Sequence, residues 1–355
     1  MAGTAPSAPL VSIIVPVFNG EDFLGESLDS ILAQTYRPVE VLVMDDASTD
    51  GTVAVIASYG ERVRSYRQAT NRGIYGNAND GITMARGRYV AVYHADDVYD
   101  PRIVEREVAF LEQYPQAGAV FCQDIFIDPS GREIGRLRIP PEVCSETPLD
   151  YPVVFNALLT HKNRFLVCPS CMVRASVHRD LGGYRDQEFR NSADLEMWLR
   201  IARRYPIGIL PDYLLRYRRG HGSSAQRYHH LRVEPERYFQ IMDAHLAEGD
   251  DAIATPAALA AYAAHRAEDW LMCGMSNYIL GRSAEARGAL GQVRPAHILH
   301  SPQVQRTRLL SLLIGLHVLA RLPRIAPLAH LLYRRRLAKR LFQSRPMPDA
   351  VTSTS

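Results

Sequence analysis

Two stretches of the sequence set chemistry-bearing residues at close spacing: His94-Ala95-Asp96-Asp97 and Cys168-Pro-Ser-Cys171. Adjacent carboxylates such as Asp96 and Asp97 repel one another unless something positive neutralises them. A divalent cation carrying a phosphate ester is such a partner. The same two acids equally suit capping the helix that Pro101 opens. Cys168 and Cys171 have the spacing of a redox or zinc knuckle, but a structural zinc site wants a second such pair and a thioredoxin-like site its own βαβ context. The expectation is two small buried thiols in a strand.

The elements around these residues alternate. Val11 to Phe18 and Val39 to Met44 are apolar runs of strand length, and Arg88 to Tyr93, rich in β-branched and aromatic residues, ends at the His94 motif. Between them Phe23, Leu24, Leu28, Ile31 and Leu32 recur at helical spacing, and a second helix is expected over Gly76 to Ala85. A weaker strand covers Val63 to Arg67, a helix Pro101 to Tyr114, and a strand Ala119 to Ile127 that turns back at Asp128-Pro-Ser-Gly131. Strand–helix alternation predicts an α/β fold with a mostly parallel sheet and right-handed crossovers. The strands ending at Phe18, Met44 and Tyr93 run into acidic or Asn/Gly loops that would share one sheet edge, where ligands of open α/β sheets bind. The loop Asp45-Asp46-Ala-Ser-Thr-Asp-Gly51 also suits turning the chain and capping a helix.

A chain of 355 residues with 47% apolar and 22% charged residues can bury a sizeable core in about two domains. A net charge of +3 gives no reason to expect nucleic acid as a partner. No G-x-G-x-x-G follows the first strand and no G-x-x-x-x-G-K-[ST] occurs, which disfavours a dinucleotide oxidoreductase and a P-loop NTPase. Neither a signal peptide nor an apolar run long enough to span a bilayer is visible, and the five cysteines fit reduced thiols, so a cytoplasmic protein is expected.

The run VSIIVPVFN, then VLVMDDASTDGT, then Asn71-Arg-Gly73 with Asn79, then ARGRYVAVYHADD resembles glycosyltransferase family 2, over about Val11 to Arg219. That resemblance implies a GT-A fold, a nucleotide diphospho-sugar donor (a UDP-sugar foremost), Mg2+ or Mn2+, and inversion at the anomeric carbon. It implies that Pro16, Phe18 and Asn19 lie at the base, that Asp45 or Asp46 holds the base or ribose, that Asn71, Gly73 and Asn79 face the donor, and that Asp96 ligates the metal. The family's D-x-D motif has an acid where this chain has His94. Neutral imidazole can still ligate a cation or donate to a sugar hydroxyl.

Asp150 to Arg219 resembles the family's acceptor-binding half. In Asn191-Ser-Ala-Asp-Leu-Glu-Met-Trp-Leu-Arg200 the first acid of the family's E-D motif is Ala193, and Asp194 matches the base. An attacking hydroxyl must lose its proton, which a carboxylate accepts best when an apolar setting lifts its pKa. Lacking an acidic neighbour at 193, Asp194 must rely on burial for that lift. Glu196 is the alternative base and, with Trp198, a candidate for acceptor binding; Asp194 also suits a helix cap. Arg218, Arg219 and His221 stand on a Gly-flanked loop suited to a leaving diphosphate, and His221 is a further candidate metal ligand.

Beyond Gln226 the pattern is helical. Ile279 to Leu290 resembles one tetratricopeptide-like hairpin, without further copies. Leu309 to Leu332 is apolar and is followed by Arg334-Arg335-Arg336 and Lys339-Arg340, which predicts contact with an anionic membrane surface, at the inner face of the cell membrane. The expected organisation is a disordered N-terminus (1–10), a transferase domain (11–225, its donor half 11–130 and acceptor half 131–225), a helical region (226–345) and a disordered tail (346–355). The activity expected is sugar transfer to a glycan or lipid-linked hydroxyl acceptor in cell-surface polysaccharide synthesis. The competing readings are a non-catalytic nucleotide-sugar-binding or membrane-docked relative and a nucleotidyltransferase.

Overall fold

The structure, a computed structural model, describes residues 8–220, 231–299, 303–322 and 325–331. It divides into two compact units, Met1–Arg227 with Arg237–Leu259, and Tyr228–Glu236 with Ala260–Ser355. The helix Arg237–Ala247, read from sequence as part of the helical region, groups with the first unit.

The first unit is built on β1 (Val11–Val17), whose seven residues are all buried. It is buried because it lies inside the sheet, paired in parallel with β2 (Val39–Asp45) on one side and β4 (Tyr89–Val92) on the other. The crossovers are α1 (Leu24–Leu32), α2 (Thr52–Ser58) and α3 (Ile74–Met84), with β3 (Arg64–Arg67) parallel on the outer side of β2. On α1, Leu24, Leu28 and Ile31 at i, i+4 and i+7 form the buried stripe. Because β1, β2 and β4 run parallel, their carboxyl ends share one edge, as the sequence pattern predicts.

The sheet continues with mixed polarity. It runs β3-β2-β1-β4-β9-β6-β10-β5. Here β5 is Val98–Tyr99, β6 is Ala119–Ile127, β9 is Cys171–Arg174 and β10 is Ile207–Arg218. Two further strands lie off that path: β7 (Glu133–Arg136) pairs with β6, and β8 (Ser145–Leu149) with β10. Helix α4 (Ile103–Gln113) follows β5, and α5 (Tyr151–His161) follows β8. After β9 come α6 (Ala175–Leu181), α7 (Asp186–Phe189) and α8 (Ala193–Ala202). The sequence places the last strand from Pro211, but it starts four residues earlier. Pro211, which cannot donate to a ladder, falls at a register irregularity between Ile209 and Tyr213, so the strand passes through it. All five cysteines are free thiols; Cys171 opens β9 and Cys168 lies in the turn before it, both buried.

Helix α9 is Arg237–Ala247, and α10 (Pro256–Ile279) leads into the second unit. The chain turns at Gly281, whose φ of 77° is in the left-handed region, into α11 (Ser283–Gly291), then α12 (Pro295–Ile298) and α13 (Gln303–Leu319). Gly274 lets α10 and α11 approach closely, since a Cβ there would lie 3.0 Å from Leu290. Leu271, Leu290, Ile298, Leu309, Leu313 and Leu316 form this unit's core. Among the described residues no helix is long and apolar enough to cross a membrane.

Candidate active site

At the end of β4 the backbone of His94 is fixed from two sides. Its N–H donates to the Tyr99 hydroxyl (2.6 Å), and its carbonyl accepts from Ser27 (3.0 Å). Tyr99 is itself stacked on Tyr93, ring centroids 4.0 Å apart. His94, Asp96 and Asp97 each offer a ligand atom, and these atoms all lie within 4.8 Å of one another. His94 Nδ1 is 3.8 Å from Asp97 Oδ2, while His94 Nε2 and Asp97 Oδ2 are buried with no hydrogen-bond partner. Burial pushes the His94 pKa down, which keeps the imidazole neutral and its lone pair available. Burial and the Asp96 charge push Asp97 well up. Unsatisfied buried ligand atoms beside like-charged acids are what a cation corrects, so this donor set fits a divalent metal.

In the sequence Asp97 pairs with Asp96 as carboxylates that a divalent cation would neutralise, but only His94, Asp96 and His221 are expected as metal ligands; the structure brings Asp97 into the cluster. Asp124 on β6 was also missed. It is buried, neither carboxylate oxygen has a hydrogen-bond partner, and burial pushes its pKa up to about 8. Inside a strand its only signal was an acid in an apolar run.

Two arginines expected at the diphosphate part company. Arg218 is buried and fully engaged: its backbone N–H donates to Asp97 Oδ1 (2.8 Å) and its Nε to the Asp96 carbonyl (2.8 Å). Its remaining nitrogens reach the Asp128 and Pro129 carbonyls (both 3.1 Å) and Glu26 (2.5 Å). With its donors occupied, Arg218 frames the acids and does not reach a ligand. Arg219 is exposed and lies over the Phe126 ring, 3.5 Å from the centroid, which leaves its outer edge toward solvent. His221 lies outside the described residues.

The loops after β1 and β2 are stitched together. Asn19, at a left-handed φ of 50°, accepts the Thr49 N–H on its side chain (2.8 Å) and donates its own N–H to Ser48 (2.9 Å). Pro16 is buried, while Phe18 is 49% exposed, an aromatic face left open at the strand edge. Asp45 is buried, accepting the Ser48 N–H (3.1 Å) with Arg67 3.2 Å away. Asp46 accepts the N–H groups of Arg72 (2.8 Å) and Gly73 (2.9 Å), and Asn71 also accepts the Gly73 N–H (3.0 Å). Asp46 thus shapes the Asn71–Gly73 loop that opens α3, and Asp45 the loop after β2.

Asn79 is hydrogen-bonded to the second half of the domain. Its amide brackets the Tyr184 backbone, accepting from its N–H and donating to its carbonyl (both 2.8 Å), and Gly183 makes room for it. Helix α3 thereby joins the donor loops to the second half of the domain. It also carries Tyr75, which sequence reasoning missed. Tyr75 hydrogen-bonds the Asp194 carboxyl in the first turn of α8, and burial lifts the Asp194 pKa to about 6. Burial therefore supplies the lift for which Ala193 offers no charge. Buried Cys168 is held as a thiol by burial and by the charges of both Asp194 and Asp97, so the two acids share one neighbourhood.

The acceptor-side expectations need correction. Glu196 is buried and paired with Arg200 through two contacts of 2.9 Å and with Arg185 at 3.3 Å. Trp198 is 1% exposed and packs edge-on against Phe121 and Tyr184, so both residues expected on the acceptor side are buried in the scaffold.

With this geometry in hand, comparison with known proteins gives one answer. The family model for glycosyl transferase family 2 matches residues 12–182. A putative glycosyltransferase of Bacillus subtilis, EpsE, is 33% identical over 205 residues, covering 55% of this chain and 67% of EpsE. The chain belongs to glycosyltransferase family 2. This family 2 enzyme is also 30% identical over 200 residues to an uncharacterized glycosyltransferase of Rickettsia prowazekii, spanning 55% of itself and 59% of that relative. Its fold is that of Staphylococcus aureus TarS residues 1–349, solved with UDP-GlcNAc (TM-score 0.57, 18% identity, 94% of this chain and 92% of that one). A Pyrobaculum calidifontis mannosyltransferase solved with GDP-Man and Mn2+ shares it too (TM-score 0.53, 19% identity, 96% and 89%). The family match ends twelve residues before Asp194.

Proposed function

We propose that this transferase moves a sugar from a nucleoside-diphosphate donor to a hydroxyl acceptor with inversion. The observation that carries the reading is the His94, Asp96 and Asp97 cluster, with two orphaned buried ligand atoms at a strand edge. Those three residues would hold Mg2+ or Mn2+, which when bound supplies the positive charge that a departing diphosphate needs. Phe18 presents its exposed face to the base, and the loop shaped by Asp45 and Asp46 borders the ribose. Arg219 reaches the diphosphate. Asp194, deprotonated above pH about 6, accepts the proton of the attacking hydroxyl, and Tyr75 holds its carboxylate in place. The hydroxyl oxygen bonds to the anomeric carbon as the bond to the diphosphate oxygen breaks, and the electron pair leaves with the diphosphate. UDP- and GDP-sugars head the donor candidates because the two structural neighbours were solved with them. The acceptor we favour is a glycan or lipid-linked hydroxyl, as the family resemblance implies.

The test is a panel of UDP-, GDP- and dTDP-sugars with Mn2+ or Mg2+, reading nucleoside-diphosphate release and the anomer formed first. Release that requires the ion, is lost in Asp96→Asn and Asp194→Asn, and gives the inverted anomer supports the reading. Tight donor binding without turnover on any acceptor extract would favour a binding relative instead.

A further inference from the structure

We infer that the second unit carries a face that docks on an anionic lipid bilayer. On α13 the packed side is Leu309, Leu313, Leu316 and Ala320, which belong to the unit's core. The opposite side exposes Ile314 (67%) and Val318 (53%), one helical turn apart. The chain repeats the arrangement in the helical stretch 325–331. There Ala326 packs with Tyr278 and Ala286, and His330 Nδ1 lies 3.2 Å from the Ile279 carbonyl. That stretch turns out Ile325, Leu328 and Leu331, each at least 41% exposed, with Leu322 between the two helices at 46%. Each helix is therefore anchored by one face and presents large aliphatic side chains from the other, where a water-facing helix would carry polar ones.

Charge decides the occupant. From residue 286 to 348 the sequence has twelve Lys and Arg and no Asp or Glu. Arg308 and Arg321 stand exposed beside the aliphatic row. An apolar row in a stretch that carries cations and no acid matches the acyl–headgroup boundary of an anionic leaflet, where aliphatic side chains enter and guanidinium groups stay at the phosphates. A second copy of the chain would bring the same cations against themselves. Among the described residues neither helix is long enough to span, and the docking proposed is interfacial. This inference rests on exposure and charge in the second unit and is independent of the transfer chemistry.

The experiment is co-sedimentation of the full chain with phosphatidylcholine vesicles and with vesicles containing phosphatidylglycerol. We expect at least about tenfold more binding to the anionic vesicles, falling steeply with salt. The double variant Ile314→Asp, Leu328→Asp should lose that binding while its far-ultraviolet dichroism and melting stay as in the parent. Arg308→Glu with Arg321→Glu, which leaves the apolar row intact, should lose the preference for anionic over neutral lipid. Donor hydrolysis of both variants without vesicles should match the parent, which separates a docking failure from a catalytic one. The inference is overturned if the parent does not bind anionic vesicles, or if both variants bind as it does. It is also overturned if the parent is a dimer that Ile314→Asp dissociates, since the face would then belong to a second copy.

Discussion

The edge at β4 and the first turn of α8 both carry acids, yet they treat them differently. At β4 three ligand groups converge: Tyr99 and Ser27 hold the His94 backbone and Arg218 the Asp96 carbonyl and Asp97 Oδ1, while two side-chain atoms are left unsatisfied. On α8 the two acids are held differently: Glu196 is paired with two arginines, and buried Asp194 accepts hydrogen bonds from Tyr75, the Leu195 N–H and its own N–H. An acid whose partners are complete belongs to the scaffold. An acid whose pKa burial lifts toward neutrality is placed to exchange a proton. Arg218 and Arg219 repeat the lesson one residue apart, the first saturated and the second exposed.

The sharpest way to break this contrast is to neutralise each α8 acid in turn. Asp194→Asn should cost kcat about 10³-fold, roughly 4 kcal/mol, with donor Kd unchanged, as steady-state kinetics and calorimetry would show. Glu196→Gln should do the reverse, lowering stability by about 3 kcal/mol in a denaturant titration because Arg200 loses its buried partner, with kcat held in the surviving fold. A smaller effect is expected at the arginines. Arg219→Ala should lower kcat/KM about tenfold, near 1.4 kcal/mol, without changing the melting temperature. Arg218→Ala should show its effect mainly as lost stability. The smallest is Tyr75→Phe, which removes a hydrogen bond that lowers the Asp194 pKa, so the acid limb of the pH–rate profile should move above 6 with a few-fold loss near neutrality.

How much of this the sequence carried depends on range. Strands β1, β2 and β4 were legible because a strand buried on both faces must be a nearly unbroken apolar run, and the acids that follow each were therefore placed on one edge. The two-residue β5 has no pattern to read, and Pro211 hid the first part of β10. At the site, the candidate motifs were visible but the satisfaction of each side chain was not. Arg218 gains its partners from Asp97, Asp128 and Glu26, up to 192 residues away, and Asn79 from Tyr184, 105 residues away. Trp198 stood on the apolar face of its helix in the sequence, which was the better guide to its burial than its place in a motif. Tyr75 lay in no motif and became meaningful only when α3 met α8.

The central claim is that Asp194, held by Tyr75 and the Leu195 N–H and lifted by burial, is the group that takes the proton. The most direct measurement is the pH profile of kcat/KM for the parent, Asp194→Asn and Glu196→Gln with a donor that turns over. Activity of the parent should rise with pH through a limb near 6, because the carboxylate must be deprotonated to act. Glu196→Gln should keep that limb, and the residual rate of Asp194→Asn should lack it. A limb that survives in Asp194→Asn and vanishes in Glu196→Gln would contradict the account and make the paired acid the base.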